Sequence, residues 1–320
     1  VSVNTAIATT ATANSSAGAA RVGRFAPSPT GPLHLGSLVA AVGSYLDARQ
    51  DGGRWLLRIE DLDTPRVVPG CADEMLRVLE TFGFEWSGAV MYQSKRRAAY
   101  QAALDELRRA GRTFECSCSR KTRHAAAADT DGAVYSGTCR NGPTQAGPTA
   151  TRFRVDDDSY IRFDDALQGP QTVALRDVGD VVVRRRDDLP TYQLAVIVDD
   201  AAQGITRVTR GCDLLASTPW QVALQAALRL PAVEYAHLPL VTEPDGAKLA
   251  KSRRSIAVER AHIARQLVHA LRLLRQQPPA ALAADSVTNV WAWAHAHWQP
   301  GVLQRVRNVQ LSPASDTFTP

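Results

Sequence analysis

Arg24-Phe-Ala-Pro27-Ser28-Pro-Thr-Gly-Pro-Leu-His34-Leu-Gly36-Ser37 places three prolines and two glycines between one apolar run and another. Proline fixes φ and lacks an N–H donor, and glycine reaches backbone conformations closed to other residues, so this stretch continues neither a strand nor a helix and forms a stiff turn. Val22 to Ala26 before it reads as a short strand. After it, Leu38, Val39, Val42 and Leu46 recur at helical spacing over about Gly36 to Arg49. A strand delivered through a rigid turn to a helix N-terminus is the opening unit of a nucleotide-binding α/β sheet.

The rest of the chain extends that unit. Arg54-Trp-Leu-Leu-Arg-Ile59 is nearly continuous in apolar character, as in a parallel strand covered on both faces. Helices are expected at about Gly70 to Phe82 and Arg96 to Ala110. A βαβ alternation resumes with strand-like runs at Leu194 to Asp199 and Ile205 to Thr209, a helix over Thr218 to Leu230 and a strand around Leu238 to Val241. The expected fold is α/β: a doubly wound, Rossmann-like parallel-sheet domain with halves at 21–114 and 188–252. Residues 115–187 differ in character, with clustered cysteines, Ala/Gly/Pro-rich loops and alternating pieces at Thr151 to Val155 and Ser159 to Phe163. They read as an inserted α+β subdomain. Residues 253–308 read as a short helical C-terminal segment, with Ile256 to Arg275 and Val287 to Trp298 helical. Residues 1–20 are expected to be a flexible extension and 309–320 a flexible tail.

Composition narrows the setting. With 320 residues, 45% of them hydrophobic, the chain can bury a substantial core, and no stretch reaches the ~18 apolar residues that span a bilayer. A net charge of +5, with local clusters at Arg184-Arg185-Arg186 and Arg253-Arg254, allows a polyanionic partner. Five cysteines, three of them clustered, argue for a reducing compartment over a disulfide framework. Residues 1–20 lack the features of a secretory signal or a transit peptide. A cytoplasmic monomer is expected.

A second motif, Lys248-Leu-Ala-Lys251-Ser252, holds two of only four lysines, set against 33 arginines. Lysine is a compact charge on a flexible stem that can follow a phosphate through a reaction, whereas arginine is a planar fork suited to fixed carboxylates. Taken alone, the run could be a solvated basic loop. Paired with the first motif it describes a site that activates a carboxylate with ATP. His34, just ahead of a helix N-terminus, can donate to a phosphate oxygen, and Gly36 and Ser37 open the helix toward the nucleotide. His34, Lys248 and Lys251 are the catalytic candidates, with Gly36, Ser37 and Ser252 completing the ATP site and Mg²⁺ accompanying the triphosphate.

Together with Arg58-Ile-Glu60-Asp61-Leu-Asp63-Thr-Pro-Arg66 and Gly211-Cys-Asp213-Leu-Leu-Ala-Ser-Thr-Pro219, these motifs resemble the glutamyl branch of the class I aminoacyl-tRNA synthetases over residues 24 to 252. More narrowly, the chain is similar to the glutamyl-queuosine tRNA(Asp) synthetases, short paralogues that activate glutamate and attach it to the queuosine base of tRNA(Asp). The resemblance implies L-glutamate, ATP and tRNA(Asp) carrying queuosine as substrates. It implies a glutamate pocket lined by Arg24, Phe25, Ala26, Pro27, Ser28, Glu60, Tyr192 and Arg210. The chemistry agrees, since the two arginines can hold carboxylates and Glu60 can pair with the α-amino group. It also implies a structural Zn²⁺ on Cys116, Cys118, Tyr135 and Cys139, with His124 a rival fourth ligand and free thiols the alternative. Leu249-Ala250 and Ser37 depart from the commoner family residues without removing a charge. Two other readings stay open: a glutamyl-tRNA synthetase charging a terminal ribose, which the roughly 60 residues after the lysine motif speak against, and a non-catalytic RNA-binding paralogue.

Overall fold

The computed structural model describes the backbone of residues 8–10 and residues 20–118, 134–243 and 258–311. In chain order the elements are β1 (Ala8–Thr10), β2 (Val22–Phe25), α1 (Leu35–Arg49), β3 (Arg54–Ile59), α2 (Cys71–Thr81), β4 (Met91–Tyr92), α3 (Arg97–Arg109) and β5 (Thr113–Cys116). Then come β6 (Ala150–Phe153), β7 (Tyr160–Asp165), β8 (Gly169–Ala174), α4 (Leu175–Val178), β9 (Val181–Arg184), α5 (Tyr192–Ala202), β10 (Arg207–Gly211) and α6 (Thr218–Ala227). β11 (Glu234–Leu238), β12 (Leu240–Thr242), α7 (Ile263–Leu273), α8 (Val287–His297) and β13 (Asn308–Gln310) follow.

The first strands form a parallel ladder β2-β3-β4, and the later ones a ladder β1-β7-β11-β10 that is parallel throughout, with β8 antiparallel on β7. The two ladders meet where β2 runs beside β10, and Thr206 N–H donates to Val22 O at 2.9 Å. Order therefore runs outward in both directions from this seam, and the crevice past the carboxyl ends of β2 and β10 is the switch point where open α/β sheets bind ligands. Helices cover both faces. One core joins Leu38, Val42 and Leu46 of α1 to Leu267 and Leu271 of α7 and Trp291 of α8. The other joins Leu194 and Ile197 of α5 to Val208, Val222 and Tyr235. A Cβ on Gly43 would fall 2.6 Å from Leu238 Cδ1, so this glycine lets α1 lie close against β11.

Several expectations change. Leu194 to Asp199, expected as a strand, lies inside helix α5; its residues are buried on nearly every side, so no helical stripe marks the sequence. Asp199 and Asp200 sit within that helix as well, both buried. The strand around Leu238 to Val241 is two strands, β11 and β12, broken at Pro239, which lacks the N–H a continuous ladder needs. Ala8–Thr10, within the expected flexible extension, pair with Tyr160–Arg162 of β7, an edge whose backbone groups offer a template. Residues β5-β6-β9 make a separate antiparallel sheet beside the core.

Candidate active site

A cavity of about 410 Å³ opens at the seam, lined on one side by Arg24, Phe25, Ala26 and Ser28 from β2 and the turn after it, and on the other by Thr209, Arg210 and Gly211 from β10. Glu60, just past β3, and Tyr192, the first residue of α5, close its base; Ala40, Arg66 and Leu214 complete it. Seven of the eight residues expected to hold glutamate thus face one space. Pro27 contributes through its backbone, where Pro27 O accepts Glu60 N–H at 2.9 Å and ties the turn to β3. Thr209 and Leu214 were not expected at the site, because small and apolar residues at a pocket wall carry no chemical signal, and Arg66 entered the sequence reading only as the end of its motif.

Charges at this site are fixed from behind. Asp200 Oδ1 accepts Arg24 Nε at 3.1 Å and Arg58 NH1 at 2.8 Å, and burial, which would raise its pKa, is outweighed by these two cations, which hold it below the usual range. Arg58 is fully buried, and its Nε lies 3.7 Å from Glu60 Oε1. Burial pushes Glu60 up to about 7 even though Arg58 and Arg24 pull it down. Glu60 Oε1 and two nitrogens of Arg58 have no hydrogen-bond partner among the described residues; of the two side chains Glu60 lines the cavity, where a ligand ammonium can complete it. Arg210 NH1 donates to Tyr192 OH at 3.1 Å, which orients both groups; burial raises the Tyr192 pKa, so the phenol stays protonated.

His34 caps α1. Its Nδ1 accepts Ser37 N–H at 3.3 Å, which leaves the ring proton on Nε2 as a donor. A Cβ on Gly36 would meet the His34 ring at 3.1 Å, so Gly36 keeps the imidazole seated on the helix end. Lys248, Lys251 and Ser252 lie outside the described residues. The chain leaves β12 at Thr242, and where it is next described Val258 N–H donates to Leu33 O at 3.0 Å, beside His34.

Away from the crevice, the Sγ atoms of Cys116, Cys118 and Cys139 lie within 4.8 Å of one another. Tyr135 OH is 3.4 Å from Cys116 Sγ and 3.8 Å from Cys118 Sγ, and Cys118 and Cys139 Sγ are 3.5 Å apart. Bonds of ~2.3 Å to sulfur and ~2.0 Å to oxygen give tetrahedral edges of roughly 3.5–3.8 Å, so these four donors fit around one zinc ion. Arg152 lies over the Tyr135 ring at 3.8 Å from its centroid and donates to Asp180 O at 2.6 Å, while the Asp180 carboxylate holds Arg140, next to Cys139. Such outer contacts fix ligand orientation. His124 lies outside the described residues. Cys71 and Cys212 stand apart, Cys71 buried at the start of α2.

The family model for the catalytic domain of class I tRNA synthetases (E and Q) matches residues 21–276. The chain is 56% identical to the glutamyl-Q tRNA(Asp) synthetase of Dechloromonas aromatica, over 91% of this chain and 98% of that protein. It is 51% identical to the protein of that name from Pseudomonas aeruginosa PAO1, over 89% of this chain and 95% of that one. A glutamate tRNA ligase from Elizabethkingia meningosepticum, crystallised in complex with its amino acid, superposes with a TM-score of 0.76 at 26% identity, over 93% of this chain and 68% of that chain. Matched along nearly its whole length by proteins of one name and built on the sheet that their catalytic domain shares, the chain belongs to the glutamyl-Q tRNA(Asp) synthetases, within the glutamyl and glutaminyl branch of class I.

Proposed function

We propose that this protein activates L-glutamate with ATP and transfers the glutamyl group to the queuosine base of tRNA(Asp). The observation that carries the reading is the crevice itself: the buried guanidinium groups of Arg24 and Arg210 and the Glu60 carboxylate, whose Oε1 has no hydrogen-bond partner among the described residues, converge on a space of amino-acid size at the switch point. Arg24 and Arg210 hold carboxylates, Glu60 receives the α-ammonium and Tyr192 spans the pocket, with Phe25, Ala26, Pro27 and Ser28 shaping its wall. One glutamate carboxylate oxygen attacks the α-phosphorus of ATP in line as the bond to pyrophosphate breaks. The glutamyl group then passes to the acceptor, and AMP leaves. The protein supplies alignment and charge and needs no covalent nucleophile.

In this reading Nε2 of His34 donates to a phosphate oxygen at the start of α1, beside Gly36 and Ser37, and Lys248, Lys251 and Ser252 reach the phosphates from the other side. The return of the chain at Val258 to the His34 turn supports that pairing. Mg²⁺ arrives with ATP and neutralises phosphate charge. Cys116, Cys118, Tyr135 and Cys139 hold a structural zinc that organises the separate β5-β6-β9 sheet and the loops around it, which we assign to acceptor recognition. Free thiols suit a reducing compartment, and no helix among the described residues is long and apolar enough to cross a membrane; we place the protein in the cytoplasm, acting as a monomer.

Pyrophosphate exchange with glutamate, run with and without tRNA, tests activation. Labelled glutamate incubated with tRNA(Asp) that carries or lacks queuosine, followed by mapping of the attachment point, tests transfer. Exchange without tRNA and label confined to queuosine are expected. Strict dependence on tRNA with label on a terminal ribose would convert the protein into a glutamyl-tRNA synthetase, and no exchange under either condition would leave only a binding module.

A further inference from the structure

Behind the amino-acid cavity a chain of buried polar side chains crosses from β7 to α5. Asp165 Oδ2, at the end of β7, lies 2.5 Å from His237 Nδ1 in β11. His237 Nε2 lies 3.1 Å from Arg210 Nε in β10, and Arg210 in turn donates to Tyr192 OH. The side chains of Asp165 and His237 are fully buried. A guanidinium has donors only, so the atom facing Arg210 Nε must accept. His237 therefore carries its proton on Nδ1, given to Asp165, and presents a bare Nε2. Asp165 Oδ1 is itself held by the N–H groups of Leu167, Gln168 and His237, so the carboxylate cannot turn away.

We propose that His237 is a positioning residue that aims the Arg210 guanidinium into the cavity, with Asp165 setting the tautomer that makes this possible. The proposal rests on the reading that Arg210 holds a glutamate carboxylate. Arg210 is gripped at three nitrogens: Nε by His237, NH2 by Thr218 Oγ1 at 2.9 Å and NH1 by Tyr192. Without the acceptor at Nε, the fork rotates about its last bond and loses register with a planar carboxylate. A doubly protonated ring would replace that acceptor with a donor and a like charge. The groups facing the ring are Asp165, Arg210, Asp213, the stacked Tyr235 and the Thr218 hydroxyl, which lies 3.3 Å from Nε2 and can donate to it. Burial first, and then Arg210, keep the imidazole pKa below its ordinary value against the pull of Asp165.

Two substitutions separate aiming from mere structure. In His237→Asn the amide still meets Asp165 but is too short to reach Arg210, whereas in His237→Gln the carbonyl reaches Arg210. In glutamate-dependent pyrophosphate exchange, His237→Asn should raise the KM for glutamate about tenfold or more with the KM for ATP within about twofold, and His237→Gln should stay within about threefold on both. Equal rises in both constants, or an unchanged glutamate KM in His237→Asn, overturn the proposal. Ring ¹⁵N spectra of the unmodified protein at neutral pH decide it without any variant: Nδ1 protonated and Nε2 bare is expected, and a proton on Nε2 overturns it. If the unmodified protein shows no exchange at all, the assignment of glutamate fails, and the ring spectra still judge the link between His237 and Arg210.

Discussion

Glu60 concentrates the chemistry of this site in one side chain. Its carboxyl, raised to about 7 by burial in spite of Arg58 and Arg24, must be ionised to receive an ammonium group, so the KM for glutamate should fall as pH rises through about 7. Glu60→Gln should raise that KM about tenfold or more and flatten its pH dependence. The same shift bears on stability. Between the ordinary value of 4.5 and about 7 the folded chain holds a proton that the unfolded chain has released, so stability falls as pH rises across that window. Glu60→Gln should therefore melt higher than the unmodified protein above pH 7 and alike below pH 4.5; equal melting at pH 8 would contradict the burial cost. Arg24 and Glu60 stand in quoted motifs, whereas Tyr192 and Arg210 were expected through the family resemblance alone; all four line the cavity. The burial of Arg58, although it heads one of those motifs, was not legible, since a charge inside a strand reads as an exposed position until Asp199 and Asp200 arrive from a distant part of the chain to neutralise it.

At the scale of elements, α5 shows where sequence patterning fails. Leu194-Ala-Val-Ile-Val198 is rich in β-branched residues, and its helix is buried between the sheet and α3, so neither propensity nor periodicity reveals it. What fixes the helix is polar: Asp199 Oδ2 accepts Gln93 Nε2 at 2.8 Å and Tyr100 OH at 2.7 Å, and Asp199 Oδ1 accepts Arg96 Nε at 2.6 Å. One carboxylate thereby clamps α5 to α3 and to the loop before it. Asp199→Ala leaves these donors buried or half-buried without their acceptor and should cost about 3–5 kcal/mol, read by denaturant unfolding. A loss below about 1 kcal/mol would show that apolar packing alone holds the helix. Strands β2 and β3 and helices α1 to α3, by contrast, were readable to within a residue or two, because Pro/Gly turns mark their limits.

For the whole molecule, the sequence shows that a parallel sheet is present, but it cannot order strands that pair across 150 residues. It also separates the cysteines from the crevice. Freshly purified protein should contain about one zinc per chain, lost in Cys116→Ser. Hydrogen exchange should then quicken in β5, β6 and β9 and around Tyr135 while α1, β2 and β3 keep their protection; faster exchange throughout would tie the metal to global folding. The seam between β2 and β10 has a consequence of its own. Val22 N–H has as its acceptor there the hydroxyl of Thr206, at 2.9 Å, in place of a carbonyl from a neighbouring ladder. Thr206→Val, nearly the same in shape, would orphan that amide at an estimated 1–3 kcal/mol. The hydroxyl and the N–H of Thr206 thus stitch the two half-sheets together at the end of the strands away from the crevice, and cutting the first should loosen the seam there before the amino-acid site feels it.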